Sequence, residues 1–101
     1  MSNKEIRHQW NRARRHQQSV WRKVRTLIER GEPVPRDLAE RFVTLSEERV
    51  AAAEALAAAG LDYEYYVGFG GGIKCPDANL DHSRTHLMTA RRVLETTSVS
   101  R

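Results

Sequence analysis

Cysteine occurs once in these 101 residues, at Cys75. No disulfide can close within the chain, and a cytoplasmic setting is the expectation. Long hydrophobic runs are missing too. No stretch approaches the roughly 18 apolar residues a membrane-spanning helix needs, and the opening MSNKEIRHQW has no apolar signal core, so no membrane partner is expected. Aromatic residues are scarce, at 7%. Proline and glycine number only three and six, and they gather in three places: GEPVP at 31–35, Gly60, and the stretch 68–76. With 40% apolar and 30% charged residues, the chain suits one domain with thin buried layers. Arginine outnumbers lysine and alanine is abundant, a compositional hint of a GC-rich genome such as that of an actinobacterium or its phage.

What is present is unevenly charged. Residues 1–30 carry nine Lys/Arg against two acids, residues 31–67 three against eight, and residues 68–101 five against three. The net charge of +4 therefore conceals a strongly basic first segment followed by an acidic one.

The basic segment reads as a helix. Ile6, Trp10, Ala13, Gln17, Val20, Val24 and Leu27 recur at alternating spacings of four and three, the seam of an amphipathic helix or short coiled coil. Gln17 is its one polar member. Arg7, Arg12, Arg15, Arg22, Lys23, Arg25 and Arg30 project away from that seam. Gly31 is placed for a left-handed C-terminal cap, and Pro33 and Pro35 hold the link extended. Asp37 followed by Glu40 predicts a capping box for a second helix over about 38–59. A link this short predicts an antiparallel hairpin.

The second seam is Leu38, Phe42, Leu45, Arg49, Ala52, Leu56, Ala59. Val43, Val50, Ala53 and Ala57 widen the apolar arc to roughly 200°, more than one partner helix covers. Either the C-terminal segment or a second chain should take the surplus. After Gly60, YEYYV is the best strand former in the chain, and GFGGGIK follows it. NLDHSRTHLMTARRVLE predicts a third helix over about 80–95, with Leu80, Leu87 and Leu94 as its apolar stripe and TTSVSR as a frayed tail.

The glycine stretch does not match a phosphate-binding loop. Ile73 separates Gly72 from Lys74, Cys75 stands where a Walker loop needs Ser or Thr, and Pro76 blocks the helix that should follow. The dinucleotide pattern fails at Ile73, which takes the place of its third glycine. A flexible joint is the better reading. Cys75, His82 and His86, with Asp77 or Asp81, resemble part of a metal set. Both histidines lie opposite the leucine stripe, however, so surface histidines are favoured and no metal or cofactor is expected. No nucleophile has an obvious base and orienting acid, no small-molecule substrate is evident, and an enzyme is not expected.

These observations predict an all-α chain: a long antiparallel helical hairpin over 1–60, an aromatic and glycine-rich joint over 61–79, and a short C-terminal helix and tail over 80–101. The leading expectation is a non-enzymatic protein–protein interaction or assembly module, of the kind found among small phage or bacterial accessory and structural proteins. It would act in the cytoplasm or within a virion. It would bind another protein or itself through Val43, Val50, Tyr63, Tyr65, Tyr66 and Phe69. The alternative is a nucleic-acid-binding accessory protein using Arg7, Arg12, Arg15, Arg22, Lys23 and Arg25, whose cations could displace counterions from phosphates.

Overall fold

A computed structural model describes residues 2–61 and 78–99. The aromatic–glycine joint, with Tyr63, Tyr65, Tyr66, Phe69 and Cys75, lies outside the described residues. Those residues form three helices: α1 (Asn3–Glu29), α2 (Arg36–Ala58) and α3 (Ala78–Val99). The chain is all-α, a helical hairpin with a C-terminal helix packed on it. Among the described residues, no helix is long and apolar enough to cross a membrane.

Local chemistry sets the helix ends. Ser2 caps α1: its hydroxyl accepts from the Glu5 N–H at 3.2 Å and donates to the Glu5 carboxylate. Gly31 adopts a φ of +69°. Its N–H reaches the Ile28 carbonyl, and the Glu32 N–H reaches Leu27, the paired bonds of a Schellman close. Gly60 repeats the device at the end of α2 with φ +70°, donating to Ala57 while Leu61 donates to Leu56. Leu61 and Leu56 are both buried in one apolar cluster, which supplies the hydrophobic contact such a close favours.

The start of α2 differs from the expected capping box. Pro35 is the N-cap, and the helix begins at Arg36, with Asp37 already in its first turn. The Asp37 carboxylate accepts from the N–H of Leu38. Proline suits this entry because its fixed φ leads into the helix and the first turn lacks N–H partners in any case.

The third helix is longer than its expected span of 80–95. Thr96 and Thr97 belong to α3, and their hydroxyls donate to the carbonyls of Arg92 and Val93 at 3.0 Å. Thr97 also reaches the Val34 carbonyl at 3.5 Å, fastening the end of α3 to the α1–α2 connection.

The middle helix, α2, packs against both others. Its buried line is Ala39, Phe42, Ser46, Arg49, Ala53 and Leu56, rotated from the seam read off the sequence. A helix with two neighbours buries the line between its two contact stripes. Leu38 and Ala52 lie on the α1 side, where they border grooves shared with that helix. Val43 packs into the cluster that contains Ala90 of α3. Val50 is half-buried on the same edge, between Glu47 and Glu54, both of which reach α3. The surplus apolar arc of α2 is thus taken up by the chain's own C-terminal helix.

Two apolar clusters make the core. One holds Trp10, Ala53, Leu56 and Leu61, with Ile6, Ala52 and Leu80 against it. The other holds Val20, Val24, Phe42 and Ala90, flanked by Trp21, Val34, Leu38 and Val93. Between them lies a polar layer. Arg49 is 2% exposed, and Gln17, Ser46 and Ser83 are fully buried. Arg49 donates from Nη1 to Gln17 Oε1 at 2.7 Å and from Nε to Ser83 Oγ at 3.2 Å. Its guanidinium also stands over the Trp10 ring, 5.5 Å from the centroid. The Gln17 amide nitrogen reaches Ser46 Oγ at 3.4 Å and His86 Nδ1 at 3.1 Å. All three helices contribute to this layer.

Replacing Gln17 by Leu removes the shortest acceptor of a buried cation and should cost about 2–4 kcal/mol. Gln17→Leu combined with Arg49→Met should recover most of that loss, because the charge leaves with its acceptor. Urea unfolding of the wild type, both single variants and the double variant measures the coupling. Strictly additive losses would show that the pair is not a unit.

Candidate nucleic-acid interface

The buried stripe of α1 (Trp10, Gln17, Val20 and Val24) fixes what its opposite side presents. At about 100° per residue, Arg12, Arg15, Arg22 and Lys23 fall on the outer face, with Arg7 and Arg25 at its edge. All six are exposed. From Arg7 to Arg25 the face extends about 27 Å, at ~1.5 Å per residue. The structure therefore brings the six cations together on one side of one rigid helix.

The acids of α2 do not neutralise this face. Glu54 pairs with Arg84 at 3.9 Å and Glu47 with Arg91 at 4.0 Å, both across to α3. Glu40 pairs within α2, with Arg36 at 3.6 Å. Glu48 borders α1 in a shallow groove with Gln9, Arg12 and His16, yet forms no ion pair there among the described residues. Arg12, Arg15, Arg22, Lys23 and Arg25 have no carboxylate partner among the described residues. The sequence left open whether α2 would meet these edges; in the structure Glu47 and Glu54 turn to α3, while Glu48 borders Arg12 and His16 without an ion pair among the described residues.

Neither tryptophan joins the basic face. Trp10 is buried, and Trp21 stacks on Phe42 with ring centroids 5.4 Å apart. Trp10, a member of the seam, lies within one core cluster, and Trp21 packs against the other.

The histidine pair is only partly a surface feature. His82 is exposed, as expected, but His86 is half-buried and faces α1, edge-on to Trp21 with ring centroids 5.9 Å apart. This departs from the expectation of two surface histidines. The ring sits at the crevice where α3 meets α1, beside the leucine stripe rather than opposite it. Burial first, then the Arg49 guanidinium and then His82, depress the His86 pKa to about 4. His82 is lowered by burial and by Arg49.

The two Nε2 atoms are 3.2 Å apart, a spacing that two ligands of one metal ion could adopt. The surrounding bonds oppose that use. An arginine only donates, so the Gln17 atom facing Arg49 is its oxygen and the atom facing His86 Nδ1 is its NH2. His86 Nδ1 must then accept, which places the proton of the neutral ring on Nε2, where a metal would need a lone pair. Among the described residues, no group of three or more His, Cys, Asp or Glu is placed to hold a metal ion.

Comparison with protein-family models, characterised proteins and solved structures gives no match. Any functional reading of this face therefore rests on its own chemistry.

Exposed arginines such as Arg15, Arg22 and Arg25, which have no carboxylate partner among the described residues, contribute little to folding. Changing Arg15, Arg22 and Arg25 together to Gln should leave stability within about 0.5 kcal/mol of wild type, or raise it slightly by relieving repulsion. A thermal melt decides this. A large loss would mean that these arginines hold the fold.

Proposed function

We propose that this chain is a non-enzymatic accessory module that binds nucleic acid through the outer face of α1. The single observation carrying this reading is the charge segregation just described. Exposed cations line one helix, while Glu47 and Glu54 pair with α3, Glu40 pairs within α2, and Glu48 borders the face without an ion pair among the described residues. A duplex carries one negative charge per about 1.7 Å of its axis, so a basic helix of this length can meet several phosphates and release their counterions. The face offers arginine and lysine to the backbone and no aromatic platform for bases, so binding should be independent of sequence. The buried Ser46 and Ser83 and the half-buried His86 are engaged in joining helices, which favours a binding role over catalysis.

The other reading is docking of a protein through Val43, Val50, Tyr63, Tyr65, Tyr66 and Phe69, of which the last four lie outside the described residues. Val43 packs into the cluster that contains Ala90 of α3, which favours the basic face as the docking surface.

With unrelated duplexes of equal length, affinities should agree within a few-fold. If all six cations meet phosphates, log Kobs should fall against log salt with a slope of about −5. The triple Arg15, Arg22 and Arg25→Gln variant should lose roughly three units of that slope. Fluorescence anisotropy over a salt series measures both. Undiminished binding by the triple variant would remove α1 as the interface.

A further inference from the structure

We propose that His86 is a pH-operated latch: its neutral ring holds α3 against α1 and α2, and its protonated ring releases it. Donors and acceptors around the ring carry this proposal, independently of the nucleic-acid reading. Arg49 Nη1 donates to Gln17 Oε1 at 2.7 Å, which fixes the Gln17 amide with its NH2 towards His86 Nδ1, 3.1 Å away. That nitrogen must accept. The proton on Nε2 then donates to His82 Nε2 at 3.2 Å, which accepts in turn. Hydrogen bonds therefore run in one direction, from the buried guanidinium on α2 through α1 to the exposed edge of α3.

A second proton on His86 has no place in this chain. It would sit on Nδ1, facing the N–H that the Gln17 amide directs at that nitrogen. Turning that amide over would offer its oxygen to His86 but point its NH2 at Arg49, which only donates. The mismatch moves and does not disappear. Trp21, the other α1 contact, stands nearly perpendicular to the ring and offers no oxygen acceptor. The charged and titratable groups facing His86 are Arg49 from α2 and His82 from its own helix, and α1 presents the neutral Gln17 and Trp21. Each such charge repels an imidazolium, consistent with the depressed His86 pKa of about 4.

His82 is a weaker participant. It is exposed, so a protonated His82 can turn into solvent without moving the helix. Release of α3 would uncover the edge of α2 around Val43, which packs in the cluster containing Ala90.

The sign follows from linkage. The released state, with an ordinary histidine pKa near 6.5, binds a proton that the docked state resists down to about 4. Docking is therefore fully favoured above pH 6.5 and weakens as pH falls from there towards 4, by at most about tenfold per pH unit.

The test follows, by NMR on the full chain between pH 7.5 and 4.5, amide protection at Ala90 and Val93 relative to Val20, corrected for intrinsic exchange. Wild type should lose relative protection at α3 as pH falls. His86→Gln should abolish this pH-dependent loss, since its amide carries no titrating proton, while His82→Gln should keep most of it. The same loss in His86→Gln would overturn the latch. Should that variant fail to fold, the His86 ring signals of the wild type decide. Titration near pH 6.5 with α3 protection intact overturns the proposal, and titration coinciding with the loss of protection supports it.

Discussion

A buried guanidinium organises this fold. Arg49 carries only N–H donors, and an interior without matching acceptors would make its burial prohibitive. Its geometry is met by groups from the other two helices, the Gln17 carbonyl of α1 and the Ser83 hydroxyl of α3, with the Trp10 ring beneath it. The apolar layers on either side supply hydrophobic stabilisation but little register. Much of α2 is the run VAAAEALAAAG, whose small side chains would pack nearly as well after a sliding step. The polar layer removes that freedom, because a shift of one turn would leave a buried charge facing alanine or valine. A buried polar contact selecting one register from several apolar alternatives has its best-known parallel in coiled coils.

Charge is divided by the same arrangement. With α2 between the other helices, each of its edges faces a different neighbour. Glu47 and Glu54 lie on the edge towards α3 and meet Arg91 and Arg84 there. These exposed pairs contribute little stability on their own. Their larger consequence is electrostatic: they neutralise α3 and leave the outer face of α1 positive. The proposed function depends on that division more than on the number of basic residues.

Much of the fold was legible from periodicity and punctuation. Trp10, Gln17, Val20 and Val24 of the α1 seam are buried, Ile6, Ala13 and Leu27 are half-buried, and Gly31 and Gly60 end their helices with positive φ. The rotation of α2 was not legible. A single helical-wheel count cannot separate one broad face from two adjoining stripes, and Ala52 and Ala53 score alike wherever they point. The polar layer left a trace that the sequence reading did not join up. Gln17 and Arg49 are the polar members of two otherwise apolar seams, and intruders on two packed helices are candidates to meet each other. His86 was harder. Its role depends on which side of α3 faces α1, and no pattern within the 22 residues of that helix carries this information. The basic face was visible from the first thirty residues, but that Glu47 and Glu54 pair with α3 rather than with this face depended on the rotation of α2.

The direction of the hydrogen bonds in the polar layer is set by single protons, so the tautomeric state of the two rings tests it most directly. Long-range nitrogen–proton correlation spectra of uniformly labelled protein near pH 7.5 distinguish protonated from unprotonated ring nitrogens. A chain of hydrogen bonds running from Arg49 through Gln17 to His86 and His82 requires the Nε2–H tautomer at His86 and the Nδ1–H tautomer at His82. A His86 ring carrying its proton on Nδ1, or exchanging between both forms like a free imidazole, would contradict it.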